Sequence, residues 1–417
     1  MRILLTSIGS LGDLNPYIGL GLALKRRGHE PVLAVSKFYR SAVESAGLIC
    51  RPVRPDGDPA DRSVVERIMH PLRGADYLVR DLLMPRLDEA YEDLLAAAAD
   101  ADAIVSHPLT FTAPLVGEVL KRPWAGAVLA PLSFFSRMDP PQVVAHPAVA
   151  ALHRVWPNES RWTIPLGKLI TRSWGNPLQD LRRRLGLPRG GHPLYEGQFS
   201  PFLNLAMFSK VLAAPQHDWP AKTVVTGAVS YDAVHGGMPA DLDRFLDSGP
   251  PPVVFTLGSS AVSVGNAPAF YETSAEAART LGVRAVLLVG KSGNNAPRVS
   301  SEGTFVAEWA PHSALFRRAT AVVHQGGAGT LHTALAAGHP TIIVPFAHDQ
   351  PDYASRLERL GVSATIYPQQ YKTKRVSKAL EALLGDASLR ERARSIGEIV
   401  RSERGGDTAA AAIEALR

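Results

Sequence analysis

The stretch from Glu308 to Arg356 constrains the fold of this chain more than any other part of the sequence. A short apolar run, Ala321–Val323, leads into His324 and then into the glycine-rich turn Gly326–Thr330. An Ala/Leu-rich helical pattern follows this turn and ends at Gly338. A buried strand that delivers such a turn to a helix start presents backbone N–H groups and the positive helix end to an anion. The stretch therefore predicts a diphosphate site at the edge of a parallel sheet.

Apolar strand patterns alternate with amphipathic helix patterns along most of the chain, which predicts an α/β fold with parallel sheets and right-handed crossovers. Two doubly wound, Rossmann-like halves are expected to face each other across a cleft. The alternation breaks between Ser133 and Ser200, where prolines and tryptophans indicate an inserted cleft wall. The predicted strands are Ile3–Ile8, Pro31–Val35, Leu48–Val53, Ala103–Ser106, Ala125–Leu129, Asn204–Phe208, Val253–Leu257, Arg284–Val289, Thr304–Ala307, Ala321–Val323 and Thr341–Val344.

The division into domains follows from where the second half of the pattern begins. The segment Pro215–Pro220 has proline at both ends and is interpreted as an interdomain linker. We therefore expect an N-terminal domain over residues 1–214 and a C-terminal domain over residues 221–401. Residues 402–417 are expected to form a final Ala-rich helix that packs back toward the N-terminal domain.

The composition is that of an ordinary soluble globular protein, with 46% hydrophobic and 20% charged residues. The net charge of +6 is spread without a dense Lys/Arg block, which argues against nucleic-acid binding. A single cysteine, Cys50, excludes an internal disulfide and a cysteine-only metal cluster. No apolar run approaches the roughly 20 residues that span a bilayer. We expect a cytoplasmic protein, with peripheral contact to the inner membrane face as an alternative.

The first predicted turn carries the candidate general base, Asp13, directly after Gly12. Asn15 and Pro16 suggest that a helix begins just beyond it, so a helix-capping role for Asp13 is the alternative reading. A carboxylate at a helix N-terminus is expected to have a depressed pKa unless burial raises it again. His107 ends the fourth strand, and we expect it close to Asp13 at one edge of the cleft, either assisting catalysis or lining the wall.

Three further positions in the organising stretch have a structural and a functional interpretation. Asp349 and Gln350 follow a strand end, where they either cap a helix or bind sugar hydroxyls. Trp309 follows another strand, where it either packs in the core or stacks on a nucleobase.

The acidic triplet Asp56–Asp58 resembles a metal-binding motif of other sugar transferases, but its Pro/Gly-rich surroundings favour a solvated turn. Gly19–Gly21 falls inside a helix pattern and is no dinucleotide fingerprint.

Three pieces of the chain together resemble the donor-binding signature of the family-one glycosyltransferases, which have the GT-B fold. These pieces are Trp309-x-Pro311, the His324–Thr330 turn and Pro345–Gln350. The opening segment, Ile8–Pro16, is similar to the bacterial and sterol-type branch of that family. Within this branch, rhamnosyltransferases of the rhamnolipid type and glycopeptide-antibiotic glycosyltransferases have the nearest patterns.

The resemblance implies an N-terminal acceptor-binding domain and a C-terminal domain that binds a nucleoside-diphosphate sugar. Asp13 would deprotonate the acceptor hydroxyl, and a single displacement would invert the anomeric centre. No metal and no cofactor beyond the sugar donor is implied, since helix ends and hydrogen-bond donors would neutralise the diphosphate. The implied donor site comprises Gly12, Ser259, Trp309, His324, Gly326, Gly327, Ala328, Gly329, Thr330, His332, Asp349 and Gln350.

The sequence leaves the identity of both substrates open. His332 stands where plant enzymes of the family have a glutamate for the ribose, so both uridine and thymidine donors are compatible. UDP-glucose is the preferred donor and dTDP-rhamnose the second. The acceptor is expected to be an apolar or lipid-linked hydroxyl compound, held near Phe134, Phe135 and residues 150–186. A nucleotide-sugar epimerase and a non-catalytic nucleotide-sugar-binding partner subunit are the alternatives.

Overall fold

The computed structural model describes residues 1–58, 61–156, 160–232, 237–291, 294–298 and 302–416. All strand pairs that it contains are parallel. The strands are β1 Arg2–Thr6, β2 Glu30–Val35, β3 Ile49–Pro52, β4 Ala103–Ser106, β5 Trp124–Val128, β6 Leu203–Ala206, β7 Thr223–Val225, β8 Val253–Thr256, β9 Ala285–Leu288, β10 Thr304–Ala307, β11 Ala321–His324, β12 Thr341–Ile343 and β13 Ser363–Thr365.

Helices lie between almost all of these strands and cover both faces of each sheet. Short 3₁₀ turns supplement them, among them Pro131–Phe134 and Ala261–Ser263. The α-helices are α1 Leu11–Arg26, α2 Arg40–Ser45, α3 Arg62–Ile68, α4 Gly74–Asp76, α5 Leu87–Ala97, α6 Ala113–Leu120, α7 Pro147–Val155, α8 Ser160–Ile170, α9 Asn176–Arg184, α10 Ala240–Asp247, α11 Ala267–Leu281, α12 His312–Arg317, α13 Ala328–Ala337, α14 Gln350–Arg359, α15 Thr373–Gly385, α16 Ala387–Ser402 and α17 Gly405–Glu414.

The strand order locates the two places where a ligand can enter. The first sheet runs β3-β2-β1-β4-β5-β6-β7, and the second runs β10-β9-β8-β11-β12-β13. The order of each sheet reverses at one pair of strands, β1/β4 in the first and β8/β11 in the second. In open α/β sheets, a crevice forms beyond the carboxyl ends of the strands at this point. The predicted architecture of two doubly wound sheets is confirmed, and the turns after β1, β4, β8 and β11 define the candidate site.

The predicted interdomain linker is wrong. β7 pairs in parallel with β6, so the first sheet continues to Val225 and residues 215–220 lie inside the first domain. Trp219 within that segment is 9% exposed, and its ring lies 4.4 Å from the ring of Phe134. The prolines indicated a solvated connection, but burial of the tryptophan keeps the segment on the first domain. The boundary therefore falls after residue 225 rather than between residues 214 and 221.

The C-terminal helix packs back on the N-terminal domain, as predicted. Ala409, Ala410 and Ile413 of α17 are buried in the same apolar cluster as Tyr17 and Leu20 of α1. An ion pair of 2.6 Å between Arg27 and Glu414 adds to this contact at the surface. The last predicted helix residue, 417, lies outside the described residues. The chain thus crosses from the second domain to the first at its C-terminal end.

A second interdomain contact holds α14 against the segment that follows β5. The hydroxyl of Tyr353 donates to the carbonyl of Leu129 at 2.5 Å. Arg356 is 2% exposed and forms ion pairs with Asp352 of its own helix and with Asp139 of the first domain. A buried cation needs such paired carboxylates to offset its lost hydration. The N-terminal end of α14, which carries the predicted sugar-binding residues, is therefore fixed relative to the first domain.

Candidate active site

The turn after β1 is shaped by a capping box at the start of α1. The side chain of Asp13 accepts hydrogen bonds through Oδ2 from the backbone N–H of Ser10 at 2.8 Å and from its hydroxyl at 3.2 Å. Ser10 is the N-cap and the helix begins at Leu11, so the predicted start near Asn15 and Pro16 is wrong. The Ser-x-x-Asp spacing was the signal that could have located this cap. The second carboxylate oxygen, Oδ1, points elsewhere.

Oδ1 of Asp13 faces His107 at the end of β4. The distance from Oδ1 to Nε2 of His107 is 3.8 Å, so the two side chains predicted to be neighbours are brought together. Nδ1 of His107 accepts from the backbone N–H of Leu109 at 3.3 Å, which places the ring proton on Nε2, toward Asp13. Burial lowers the pKa of His107 to about 3, so the ring is neutral. A neutral N–H donor therefore faces the free oxygen of the carboxylate.

Burial also decides the ionisation of Asp13. The pKa of its carboxyl is raised, because loss of hydration outweighs the hydrogen bonds from Ser10. The depressed pKa expected of a helix-terminal carboxylate is therefore not found. The side chain nevertheless keeps 37% of its surface exposed. Gly9 allows this arrangement, since it has φ of 140° and a Cβ there would lie 2.2 Å from Oδ2 of Asp13.

The buried side chain of His324 hydrogen-bonds to the glycine turn of the second sheet. This residue is fully buried, and its Nδ1 accepts from the backbone N–H of Gly326 at 3.0 Å. Burial lowers the pKa of His324 to about 3, so the ring is neutral and carries its proton on Nε2. Within the described part of the chain, Nε2 has no hydrogen-bond partner. Gly326 has φ of 91°, and α13 begins two residues later at Ala328, behind its N-cap Gly327.

The loop after β8 lies directly against this turn. Gly258 has φ of 63°, and a Cβ on it would come within 2.1 Å of the Gln325 amide. The following residue, Ser259, is exposed at the same edge of the sheet. The loops after β8 and β11, which carry the predicted diphosphate-binding residues, are therefore neighbours. The first turn of α13, with Gly329 and Thr330, follows the second of these loops.

Trp309 follows β10, three strands from β11 and its glycine turn, and is 38% exposed. This exposure excludes the core alternative and leaves an aromatic face available at the edge of the sheet. His312, three residues on, stacks on Phe316 with ring centroids 4.8 Å apart. Burial lowers the pKa of His312 to about 4, so this ring is neutral as well.

Asp349 immediately precedes α14, yet its side chain makes no capping hydrogen bond to the helix. The capping alternative is therefore not supported. Burial, followed by the charge of Asp13, raises the pKa of Asp349 to about 7. The two carboxylates belong to opposite domains. Gln350 has its Oε1 engaged by the backbone N–H groups of Phe346 at 2.8 Å and Ala347 at 3.3 Å, so only its amide nitrogen is available to a ligand.

Comparisons with known proteins show the family and the fold of the chain. Residues 285–416 match the family model described as Erythromycin biosynthesis protein CIII-like, C-terminal domain. The chain is 32% identical to the O-mycaminosyltylonolide 6-deoxyallosyltransferase of Streptomyces fradiae, covering 99% of this chain and 97% of that relative. It is 28% identical to the sterol 3-beta-glucosyltransferase of Leptosphaeria maculans over 98% of this chain, but spans only 28% of that longer protein. The structure of spinosyn rhamnosyltransferase SpnG complexed with thymidine diphosphate has the same fold, with a TM-score of 0.71 at 20% identity, covering 99% of this chain and all of that one. The chain belongs to the family-one glycosyltransferases of the GT-B fold.

The sequence assigned His332 of this glycosyltransferase to the donor site, but its hydrogen bonds in the structure give it a different role. Its Nδ1 donates to the backbone carbonyl of Ala328 at 2.7 Å, and its Nε2 accepts from the backbone N–H of Ser209 at 3.2 Å. Burial lowers the pKa of His332 to about 4, which agrees with a neutral ring. Neither nitrogen is left for a ribose hydroxyl, so His332 instead connects α13 to the first domain.

Phe134, one of the two predicted acceptor residues of the glycosyltransferase, is in the core. Its side chain is 5% exposed and packs against Trp219, Phe199 and Phe208. Phe135 is half-buried, and its ring lies 4.5 Å from that of Tyr195. The alternation of apolar residues could not distinguish an acceptor wall from a core cluster, because both are lined by aromatics. Of the two, only Phe135 keeps an exposed surface.

The 150–186 segment, also predicted to hold the acceptor, contains residues 157–159, which lie outside the described residues. Trp162 of α8 is 72% exposed, and Leu169 and Ile170 are exposed to a similar extent. Contact with a membrane surface stays a prediction. No helix in the described ranges is long and apolar enough to cross a bilayer.

The acidic triplet Asp56–Asp58 of the glycosyltransferase is a turn, as the sequence favoured. Asp56 accepts from the backbone N–H of Lys37 at 3.1 Å and forms an ion pair with the ammonium of the same residue. Among the described residues, no three His, Cys, Asp or Glu side chains converge as metal ligands would.

Proposed function

We propose that this chain is an inverting hexosyltransferase that moves a sugar from a UDP- or dTDP-sugar to a hydroxyl of an apolar acceptor. The observation that carries this proposal is the placement of Asp13 at the switch point of one sheet and of the glycine turn and Asp349 at the carboxyl edge of the other, with α14 held against the first domain. Asp13 lies at the switch point of the first sheet, and its charge contributes to the raised pKa of Asp349 at the edge of the second. A base from one domain and a sugar-binding carboxylate from the other therefore approach the same space.

The chemistry that this arrangement supports is a single displacement without a covalent intermediate. Oδ1 of Asp13 takes the proton of the acceptor hydroxyl, while Oδ2 stays bound to Ser10. The acceptor oxygen forms a bond to the anomeric carbon as the bond from that carbon to the diphosphate oxygen breaks. The diphosphate leaves with the bonding electron pair, and attack from the opposite face inverts the anomeric configuration. No metal takes part in this scheme.

Burial suits Asp13 to the role of general base. An efficient base has a pKa near the working pH, and an aspartate in water, with a pKa of about 3.9, is too weak. The raised pKa of Asp13 moves the carboxyl in the favourable direction. Asp349, with a pKa of about 7, can either accept from or donate to a sugar hydroxyl at neutral pH.

The proposed choice of donor depends on the residue that would contact the ribose of the nucleoside. A uridine donor brings a 2′-hydroxyl that needs a partner, and His332 has both ring nitrogens engaged. One structural neighbour was determined with thymidine diphosphate. We therefore place a thymidine diphosphate hexose first and UDP-glucose second, which reverses the order favoured by the sequence. Macrolide and sterol relatives support an apolar polycyclic or macrocyclic acceptor.

A transfer assay with anomeric analysis tests the reaction. The purified protein is incubated with dTDP- and UDP-sugars and a panel of macrolide aglycones and sterols, and the product is analysed by NMR. We expect a glycoside of inverted anomeric configuration. A retained configuration would exclude the single displacement.

An incubation with the donor alone separates the transferase from its alternatives. A new epimer of the donor sugar would indicate an epimerase. Donor binding by calorimetry without transfer to any acceptor in the panel would favour a nucleotide-sugar-binding partner subunit.

A further inference from the structure

Helix α3 belongs to the first domain by chain order, yet it packs on the second. Met69, directly after α3, is 6% exposed and lies in the same apolar cluster as Phe255 and Phe346 of the second domain. Val65, one turn earlier, packs against this cluster too. Burial of these side chains holds α3 on the far side of the cleft.

The two ends of α3 contact two different loops of the donor half. At its start, Nε of Arg62 donates to the carbonyl of Ser263 at 3.3 Å, in the turn that follows the β8 loop. At its end, Met69 lies in the same apolar cluster as Phe346 and Ala347, just before His348 and Asp349. His348 has φ of 59°, an unusual conformation for a residue other than glycine. The helix therefore spans from the predicted diphosphate loop to the predicted sugar loop.

The two buried histidines of the donor half supply no positive charge at this place. His324 and His312 are neutral, because burial lowers the pKa of both to about 3 and about 4. The N-terminus of α13 contributes only about half a unit charge. A departing diphosphate carries more negative charge than that, and arginine is the side chain best suited to bind phosphate oxygens.

We propose that Arg62 binds the leaving diphosphate, so that the acceptor domain supplies the cation for a donor held by the opposite domain. This inference rests on the proposed function. Arg62 is half-buried, and the described residues include no carboxylate in ion-pair contact with it. Of the acidic groups on this helix and its cap, Asp61 accepts from the backbone N–H groups of Ser63 and Val64, whereas the carboxylate of Glu66 lies against Gly265, near the Ser263 that Arg62 contacts.

Calorimetric titration with nucleoside diphosphates and monophosphates tests the role of Arg62. R62M removes the charge and keeps the apolar stem of the side chain. We expect it to weaken binding of thymidine diphosphate or uridine diphosphate by about 10- to 100-fold. Binding of the corresponding monophosphate should weaken less, because it offers fewer charged phosphate oxygens for Arg62 to bind. R62K should recover part of the affinity, and the salt dependence of binding should be shallower in R62M than in the wild type.

Two control variants keep the result specific. R67A removes a cation from the same helix, but Arg67 lies over the ring of Tyr77 at 4.6 Å, within the first domain. K291A removes an exposed cation from the end of the neighbouring strand β9. Both should bind the diphosphate within about twofold of the wild type, and equal melting temperatures without ligand would establish that all variants fold.

The outcomes separate this inference from the proposed function. If the wild type binds no nucleoside diphosphate, the proposed function fails. If the wild type binds and transfers while R62M is unchanged within twofold, only the role of Arg62 is refuted. If K291A loses affinity for the diphosphate and R62M does not, the cation that binds the diphosphate is Lys291, after β9, and not Arg62.

Discussion

The two sheets of this glycosyltransferase have the same switch-point topology, but the crevices at these points are built for different chemistry. The crevice at β1/β4 presents titratable side chains, with the free oxygen of Asp13 facing a neutral His107. The crevice at β8/β11 presents backbone, with Gly326 and Gly327 leading into α13 over a buried His324. A common fold thus provides an edge where strand ends meet, and the residues placed there decide between proton transfer and anion binding.

Replacing Asp13 should have the largest effect, and this effect should be confined to the β1/β4 crevice. In D13N the amide oxygen can still accept from Ser10, so the capping box and the fold should survive. We expect kcat to fall by about 10²- to 10⁴-fold, since a general base is lost, while donor affinity stays within about twofold. Steady-state kinetics and calorimetry on the same preparation measure both. Transfer at the wild-type rate would remove Asp13 as the base.

Replacing Gly326 should have the opposite pattern. Alanine is strained at φ of 91°, and its Cβ would lie 2.9 Å from Cγ2 of Ile343. We expect G326A to lose about 1–3 kcal/mol of stability and to bind nucleoside diphosphate at least about tenfold more weakly. Chemical denaturation and calorimetry are the measurements. G329A is the matched control for stability, because a Cβ on Gly329 meets no atom within 4 Å and alanine favours the helix.

The pH dependence of transfer tests whether His107 supports Asp13. The base works only when ionised, so the rate should fall as the pH drops through the raised pKa of Asp13. Removing the N–H donor in H107L should destabilise the carboxylate and move this acid limb to higher pH. We expect a loss in kcat of about tenfold at neutral pH and partial recovery in H107Q. A pH–rate profile that does not shift in H107L would indicate that His107 only lines the wall of the cleft.

Replacing His332 should have the smallest effect on activity. H332Q perturbs the hydrogen bonds to Ala328 and Ser209, and we expect a loss of about 1 kcal/mol in unfolding free energy. The KM for the donor should stay within about twofold, because the ring does not face the nucleotide. A large increase of KM for uridine donors alone would restore the ribose role predicted from the sequence.

Several errors in the sequence-based predictions share one cause. Trp219 and Phe134 were assigned to a linker and an acceptor wall, but they pack against each other in an apolar cluster to which both domains contribute. His332 was assigned to the donor site, but it bonds to Ser209, far away along the chain. Periodicity and motifs report the local structure of a segment, whereas each of these roles depends on a partner distant in sequence.

The sequence by itself determined the two doubly wound sheets, the glycine turn before α13 and the family to which the chain belongs. These follow from local patterns, since strand and helix periods and glycine positions act within a few residues. Only the tertiary structure decided the ionisation of the site, because the pKa values of Asp13, His107 and Asp349 are set mainly by burial. It also decided that α3 of the first domain lies on the second, because that contact depends on which apolar surfaces meet across the cleft.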